Sequence, residues 1–170
     1  MAKFDLSRLS PLSIAASIGG VALGAYAAVD LIFPALFAGV AWFGLHNMAP
    51  IAKKPVVPAV AWQLGQLGWF IIGVAFAPSG LMQIGPDIVI LGGLLVWLYI
   101  SQHRYAAWAL VAYHGLSSLW NIWMFMHAPI ESAQARALAV HIVWRVTAIS
   151  LLILFIRREP EPTETAKTFE

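Results

Sequence analysis

The sequence contains no cysteine. Disulfide bonds, thiolate nucleophiles, cysteine-ligated zinc and cysteine-held iron–sulfur clusters are therefore excluded. Charged residues are also scarce, because they make up 11% of the chain, against about 25% in an average soluble protein. Hydrophobic residues account for 61% of the 170 positions, which excludes both an ordinary soluble domain and an intrinsically disordered chain. The composition predicts a polytopic membrane protein.

Several catalytic signatures are missing as well. The sequence has no HExxH zinc motif, no nucleotide-binding P-loop and no G-x-S-x-G nucleophile elbow. Its ten basic residues give a net charge of +2 and are scattered singly or in pairs, a distribution that membrane topology explains better than nucleic acid binding does. These absences argue against an enzyme, and we expect no metal ion and no nucleic acid partner.

Long apolar segments define the predicted fold. A helix that crosses a bilayer needs about 20 mostly apolar residues. Six such segments can be drawn, at residues 11–29, 31–49, 59–77, 86–101, 105–127 and 137–156. The sequence therefore predicts an all-α integral membrane protein, with six transmembrane helices within residues 1–158 and a polar, disordered tail at residues 159–170.

The distribution of basic residues predicts the orientation. With six spans and a cytoplasmic N-terminus, eight basic residues fall on the cytoplasmic side and only Arg136 on the outer side, while Arg145 lies within a span. We therefore expect both termini in the cytoplasm and the bundle in the cytoplasmic (inner) membrane. A five-span alternative, in which the first two segments merge, would divide the basic residues between the two sides.

The first apolar segment has an alternative interpretation as a signal peptide. Lys3 and Arg8 precede it, and Ala25, Tyr26 and Ala27 form an A-x-A pattern near its end. We expect the segment to be retained as the first span.

The same segment carries a stripe of small residues. Ala16, Gly20, Gly24 and Ala28 are spaced four apart, so that they share one helix face and allow another helix to approach closely. This face packs within the bundle, or it docks a partner membrane subunit or a second copy of the chain.

Arg145 is the strongest single functional signal. A charge near the centre of a bilayer costs about 2.5–3.5 kcal/mol on insertion scales, so its side chain should face the bundle interior or a cavity. His141 precedes it by four residues and shares its face. The candidate counter-charges Asp30, Asp87 and Glu131 all lie toward the outer ends of the spans. The pattern favours an anionic ligand group, with a structural ion pair as the alternative.

A second polar face lies in the fifth span. His114, Ser117 or Ser118, and Asn121 follow helical spacing near mid-membrane, which is typical of a hydrogen-bonded core or of a ligand pocket. Gln63 and Gln66 are expected nearer the cytoplasmic ends, where they are interfacial or line an inner vestibule.

Tryptophan is abundant, with eight residues in the chain. Trp42, Trp69 and Trp144 fall near mid-depth, away from the interfaces where tryptophan concentrates. They are predicted to form the bundle core or the walls of an aromatic-lined pocket.

Haem is an alternative because the chain has five histidines. A membrane haem needs two histidines at equal depth, and His46 could pair with His103, or His127 with His141. Neither pairing has a sequence signature.

The leading functional hypothesis is an intramembrane cavity that binds or transports a small anionic or amphipathic molecule. Its predicted ligand-binding residues are Arg145, His141, His114, Asn121, Trp144, Trp69 and Trp42. The alternatives are an accessory or assembly subunit of a larger membrane complex, as a homo-oligomer or with a partner, and a haem-binding redox protein.

Overall fold

The computed structural model describes residues 30–47, 55–76 and 78–158, and every regular element in these ranges is helical. Helix α1 comprises residues 30–47. It is followed by α2 (Val57–Phe76), a short 3-10 helix (Pro78–Gly80), α3 (Leu81–Ser101), α4 (Arg104–His127) and α5 (Ala133–Arg158). The predicted all-helical class is confirmed for this part of the chain.

Within these described ranges, three segments are long and apolar enough to cross a membrane. They are Val57–Phe76, Ile84–Ser101 within α3, and Ala133–Arg158. Many large apolar side chains point outward, including Phe76 at 86% exposure and Met82 at 88%. Lipid tails solvate such side chains, whereas a soluble monomer rarely exposes large apolar patches. These helices indicate a membrane protein. The predicted span 11–29 and the tail 159–170 lie outside the described residues.

Short connections join the last three helices. Gln102 adopts a left-handed backbone conformation with φ 51°, which turns the chain sharply between α3 and α4. His103 then caps α4, since its Nδ1 accepts a hydrogen bond from the Tyr105 backbone N–H at 3.3 Å. Connections this short return each helix alongside the preceding one, and among α2 to α5 the most extensive contact is between α4 and α5.

Two predicted helix starts are corrected. α3 begins at Leu81, and Pro86 lies inside it, because the Pro78–Gly80 turn leads directly into the helix and a proline near the N-terminus removes only one backbone hydrogen bond. α5 begins at Ala133 rather than Ala137. Ser132 provides the cap, as its Oγ accepts from the Ala135 N–H at 3.1 Å.

The core is apolar in one half of the bundle. Leu91 and Leu98 of α3 pack with Leu110 of α4 and Leu152 of α5, and none of these four side chains is exposed. Small residues permit close packing elsewhere. A Cβ on Gly65 of α2, for example, would lie only 2.6 Å from the carbonyl oxygen of Pro34 in α1.

Candidate functional site

One face of α4 buries polar side chains. His114, Ser118 and Asn121 lie at four- and three-residue spacing and are exposed by 0, 7 and 9%. α5 packs against α4 and buries Arg145, which is 3% exposed. The predicted site residues His114, Asn121 and Arg145 are therefore all interior, on neighbouring helices.

Arg145 contacts side chains from two other helices. Its Nη2 lies 3.7 Å from Oδ2 of Asp87 in α3, and its guanidinium carbon lies 5.2 Å from the centroid of the Tyr113 ring in α4. The Tyr113 hydroxyl donates a hydrogen bond to Asp87 Oδ1 at 2.5 Å. We call these three side chains the Arg145 cluster, and it ties α3, α4 and α5 together.

The counter-charge of Arg145 is one of the three candidates that the sequence offers. The predicted span 86–101 places Asp87 toward the outer end of its helix, so that no carboxylate is expected deep in any span. The earlier start of α3 places Asp87 in the second helical turn, within reach of α5. Asp87 is therefore the partner among the three candidate carboxylates, and its side chain remains 35% exposed.

Arg145 keeps unused hydrogen-bonding capacity. Its Nε and Nη1 atoms have no hydrogen-bond partner among the described residues, and the 3.7 Å contact with Asp87 exceeds the usual N–H···O range of about 2.7–3.2 Å. A buried donor left unsatisfied costs about 1–3 kcal/mol. The arrangement is thus an ion pair with room for a further acceptor, such as a ligand oxygen or a water molecule.

A second polar group lies between α2 and α4. His114 Nε2 is 3.4 Å from Gln63 Oε1, and Gln63 Nε2 donates to the Ala59 carbonyl oxygen at 3.1 Å. Gln66 is 2% exposed, and neither end of its amide has a partner among the described residues. α2 thus turns Gln63 and Gln66 inward, and their expected position near the cytoplasmic ends of the spans stays a prediction.

Trp144 forms part of the packed core. Its ring stacks on Trp62 with centroids 3.8 Å apart and an interplanar angle of 14°, and Trp62 Nε1 donates to the Trp144 carbonyl oxygen at 3.0 Å. The indole N–H of Trp144 has no partner among the described residues. The indole ring is thus stacked against α2, while its N–H donor is unpaired among these residues.

A cavity of about 180 Å³ opens beside the N-terminal turns of α5. Two predicted site residues line it, Trp69 and His141, together with Asp30 and Arg136, which sequence reasoning had not assigned to binding. His141 also packs against Phe70, with ring centroids 5.5 Å apart. Because His141 precedes Arg145 by four residues, the cavity wall and the Arg145 cluster are one helical turn apart.

Trp42 does not join either group. It is 45% exposed on α1 and stacks on His46, with ring centroids 5.0 Å apart. Its predicted role as a pocket wall has no counterpart among the described contacts. The stripe Ala16, Gly20, Gly24 and Ala28 lies outside the described residues.

The histidines of the proposed haem pairs have other neighbours. His103 caps α4, and His127 Nδ1 lies 2.7 Å from the Trp123 carbonyl oxygen. No cluster of three or more histidine and carboxylate side chains that could hold a metal occurs in the described part of the chain. Haem binding through two histidines stays a prediction.

Tyr113 is the functional candidate that sequence reasoning missed. It is adjacent to His114 but points to α3, where it reaches Asp87. A tyrosine in the middle of an apolar span, away from the interfaces, is the signal that could have identified it.

Comparison with known proteins gives no matching family model, no matching curated protein and no matching solved structure.

Proposed function

We propose that this chain is a multi-pass protein of the inner membrane that binds or transports a small anionic or amphipathic molecule within its helix bundle. The observation that carries the proposal is Arg145, a buried cation whose Nε and Nη1 donors are unused among the described residues. Ionisable residues inside membrane bundles are rare, because they are costly there, and they commonly mark substrate or ion pathways.

The proposed topology has six spans with both termini in the cytoplasm. α4 packs between α3 and α5, and both of these contain segments apolar enough to cross a membrane. His114, Ser118 and Asn121 of α4 are turned inward, which supports a position for α4 across the membrane beside its neighbours. Residues 11–29 supply the sixth span.

Asp87 gives the proposed site two states. Without ligand, the carboxylate neutralises Arg145, which keeps the guanidinium from standing alone in the bundle. A ligand carboxylate or phosphate binds the unused donors and replaces Asp87 as the main counter-charge. In the ligand-bound state, the Tyr113 hydroxyl still donates its hydrogen bond to Asp87 and keeps the carboxylate in place.

The test uses benzoate, an amphipathic anion, titrated calorimetrically into the purified full-length protein in lipid nanodiscs. We expect saturable binding that weakens by about tenfold or more, equivalent to about 1.4 kcal/mol or more, in the double variant Arg145→Met with Asp87→Asn. The double variant removes both charges, so no unpaired carboxylate is left to unfold the bundle. Arg158→Met, at the exposed end of α5, is the matched control and should bind normally.

Equal benzoate affinity in the double variant and the unaltered protein would show that Arg145 is structural. Absence of any saturable benzoate binding to the unaltered protein would also overturn the proposal.

A further inference from the structure

The cavity beside α5 has charges of opposite sign on its wall. Asp30 comes from α1 and Arg136 from the first turn of α5, and both side chains are exposed. Neither forms an ion pair within the described part of the chain, with the other or with a third group. The two charges therefore line one small space without neutralising each other directly.

We infer that this cavity binds a small zwitterionic group, with its anionic part at Arg136 and its cationic part at Asp30. An anion without a positive charge would be attracted by Arg136 but repelled by Asp30. A cation without a negative charge would be attracted by Asp30 but repelled by Arg136. Only a ligand that carries both charges satisfies both side chains at once. His141 adds a polar ring, while Ala133, Ala137 and Val140 supply the apolar remainder of the wall.

An aromatic side chain suits the cationic part. Trp69 lines the cavity, and its ring is held by stacking on Phe33, with centroids 5.7 Å apart and an interplanar angle of 13°. Indole rings attract ammonium groups through their negative faces. The volume of about 180 Å³ lies below the range of about 300–1,000 Å³ typical of drug-sized ligands, so the group that fits is small.

The inference rests on the proposed function in one respect, since it makes this cavity the outer binding site on the path of a ligand to Arg145. His141 connects the two, as it lines the cavity and precedes Arg145 by one turn. The zwitterion itself is either a free small molecule or the headgroup of a zwitterionic lipid. The chemistry of recognition is the same for both, and the choice of bilayer separates them.

The experiment compares three probes of similar shape on the full-length protein in nanodiscs of phosphatidylglycerol, which has no zwitterionic headgroup. Betaine carries both charges. 3,3-Dimethylbutyrate is its isostere without the positive charge, and choline lacks the negative charge. We expect betaine to bind about tenfold more tightly than either. Asp30→Asn should abolish the preference for betaine over 3,3-dimethylbutyrate, and Arg136→Gln should weaken both.

Glu131→Gln is the matched control for Asp30→Asn, because Glu131 is an exposed carboxylate that does not line the cavity. It should leave the preference unchanged. Repeating the betaine titration in discs that contain phosphatidylethanolamine identifies the source. Weakening of about tenfold means that a lipid headgroup competes for the cavity, and unchanged affinity means a free molecule.

Equal or tighter binding of 3,3-dimethylbutyrate, or a betaine preference that survives Asp30→Asn, would overturn the inference. Benzoate binding that depends on Arg145 would persist in that case, so the proposed function would stand. Conversely, a betaine preference that depends on Asp30, together with benzoate binding unaffected at Arg145, would retain this inference and remove the proposed function. Failure of every probe to bind would overturn both.

Discussion

Two cavities lie on different faces of α2, and their linings differ sharply. The first, of about 360 Å³, is lined by Leu45, Val60, Leu64, Leu67, Gly92, Leu95, Val96 and Tyr99. The second, of about 180 Å³, receives Trp69 from α2 but adds Asp30, Arg136 and His141. The larger cavity is almost wholly apolar, whereas the smaller one carries two opposite charges and a histidine.

The difference shows that volume is a poor guide to function in this bundle. An apolar hollow on a membrane protein is readily filled by acyl chains, which are as apolar as leucine. A buried charge such as Arg145, by contrast, is costly in a membrane bundle and commonly marks a functional site. The smaller cavity lies one helical turn from Arg145 and is therefore the stronger candidate for ligand binding.

The largest expected effect comes from Asp87→Asn. This change leaves Arg145, which is 3% exposed, without its counter-charge, while the reverse change Arg145→Met leaves a carboxylate that is 35% exposed. We expect Asp87→Asn to lower the free energy of unfolding by about 3 kcal/mol, and Arg145→Met to lower it by less. Thermal unfolding in detergent, followed by near-ultraviolet circular dichroism, measures the order of the two.

The double variant with both charges removed is the control for that order. It should recover part of the loss, because an apolar side chain then replaces an unpaired charge. If the double variant loses as much stability as the two single variants together, Asp87 and Arg145 act independently. The Arg145 cluster would then not be a coupled ion pair.

Gly65→Ala tests whether both cavities depend on the close packing of α1 against α2. A Cβ at Gly65 would meet Pro34 O at 2.6 Å and Ala38 Cβ at 2.8 Å, so α1 must move, at a cost of about 1–3 kcal/mol. Because α1 carries Asp30, we also expect betaine binding to weaken. Stability and titration are measured on the same sample.

Gly73→Ala is the matched control on the same helix. A Cβ there meets nothing within 4 Å, and alanine is the better helix former by about 0.5–1 kcal/mol. Stability should be unchanged or slightly raised. A loss at Gly73 equal to that at Gly65 would mean that the close approach of α1 and α2 is not the cause.

Tyr113→Phe and Tyr99→Phe compare the same change in the two halves. The Tyr113 hydroxyl donates to Asp87, whereas the Tyr99 hydroxyl, beside the apolar cavity, makes no hydrogen bond with the described residues. Loss of a hydrogen bond to a charged group costs about 1.5–3 kcal/mol, so Tyr113→Phe should destabilise by about 1.5 kcal/mol. Tyr99→Phe should change stability by less than about 0.5 kcal/mol.

Equal effects of the two tyrosine substitutions would contradict the contrast. A small effect at both positions would mean that Asp87 is held by Arg145 alone, and the Arg145 cluster would shrink to a pair.

Much of the helical pattern could be predicted, since apolar runs and their breaks depend on local sequence. The predicted segments 59–77 and 105–127 differ from α2 and α4 by two residues or fewer at each end. The start of α3 could not be predicted from the sequence. Proline is typical of the first turn of a helix, so Pro86 suggests a start there, whereas the Pro78–Gly80 turn leads into a helix that begins at Leu81.

The sequence predicts which side chains of the site face inward, but not which side chains they contact on other helices. The interior position of Arg145, His114 and Asn121 follows from polar residues at helical spacing in apolar helices. Which carboxylate meets Arg145 depends on how α3 and α5 each pack on α4, and this long-range information has no local signal. The same holds for Gln63, whose contact with His114 joins residues 51 positions apart.

A small effect of the opposite sign, a gain in stability, is expected at Gly92 beside the apolar cavity. Its added Cβ would come no closer than 4.0 Å, to Leu67 Cδ2, so Gly92→Ala fills part of the larger cavity without strain. Removing a glycine from the interior of α3 should stabilise the protein by up to about 1 kcal/mol. Benzoate and betaine titrations should be unchanged, because no charged group lines this space. A loss of benzoate or betaine binding in Gly92→Ala would place a ligand in the apolar cavity. Ligand binding would then be assigned to that cavity rather than to the smaller, charged one.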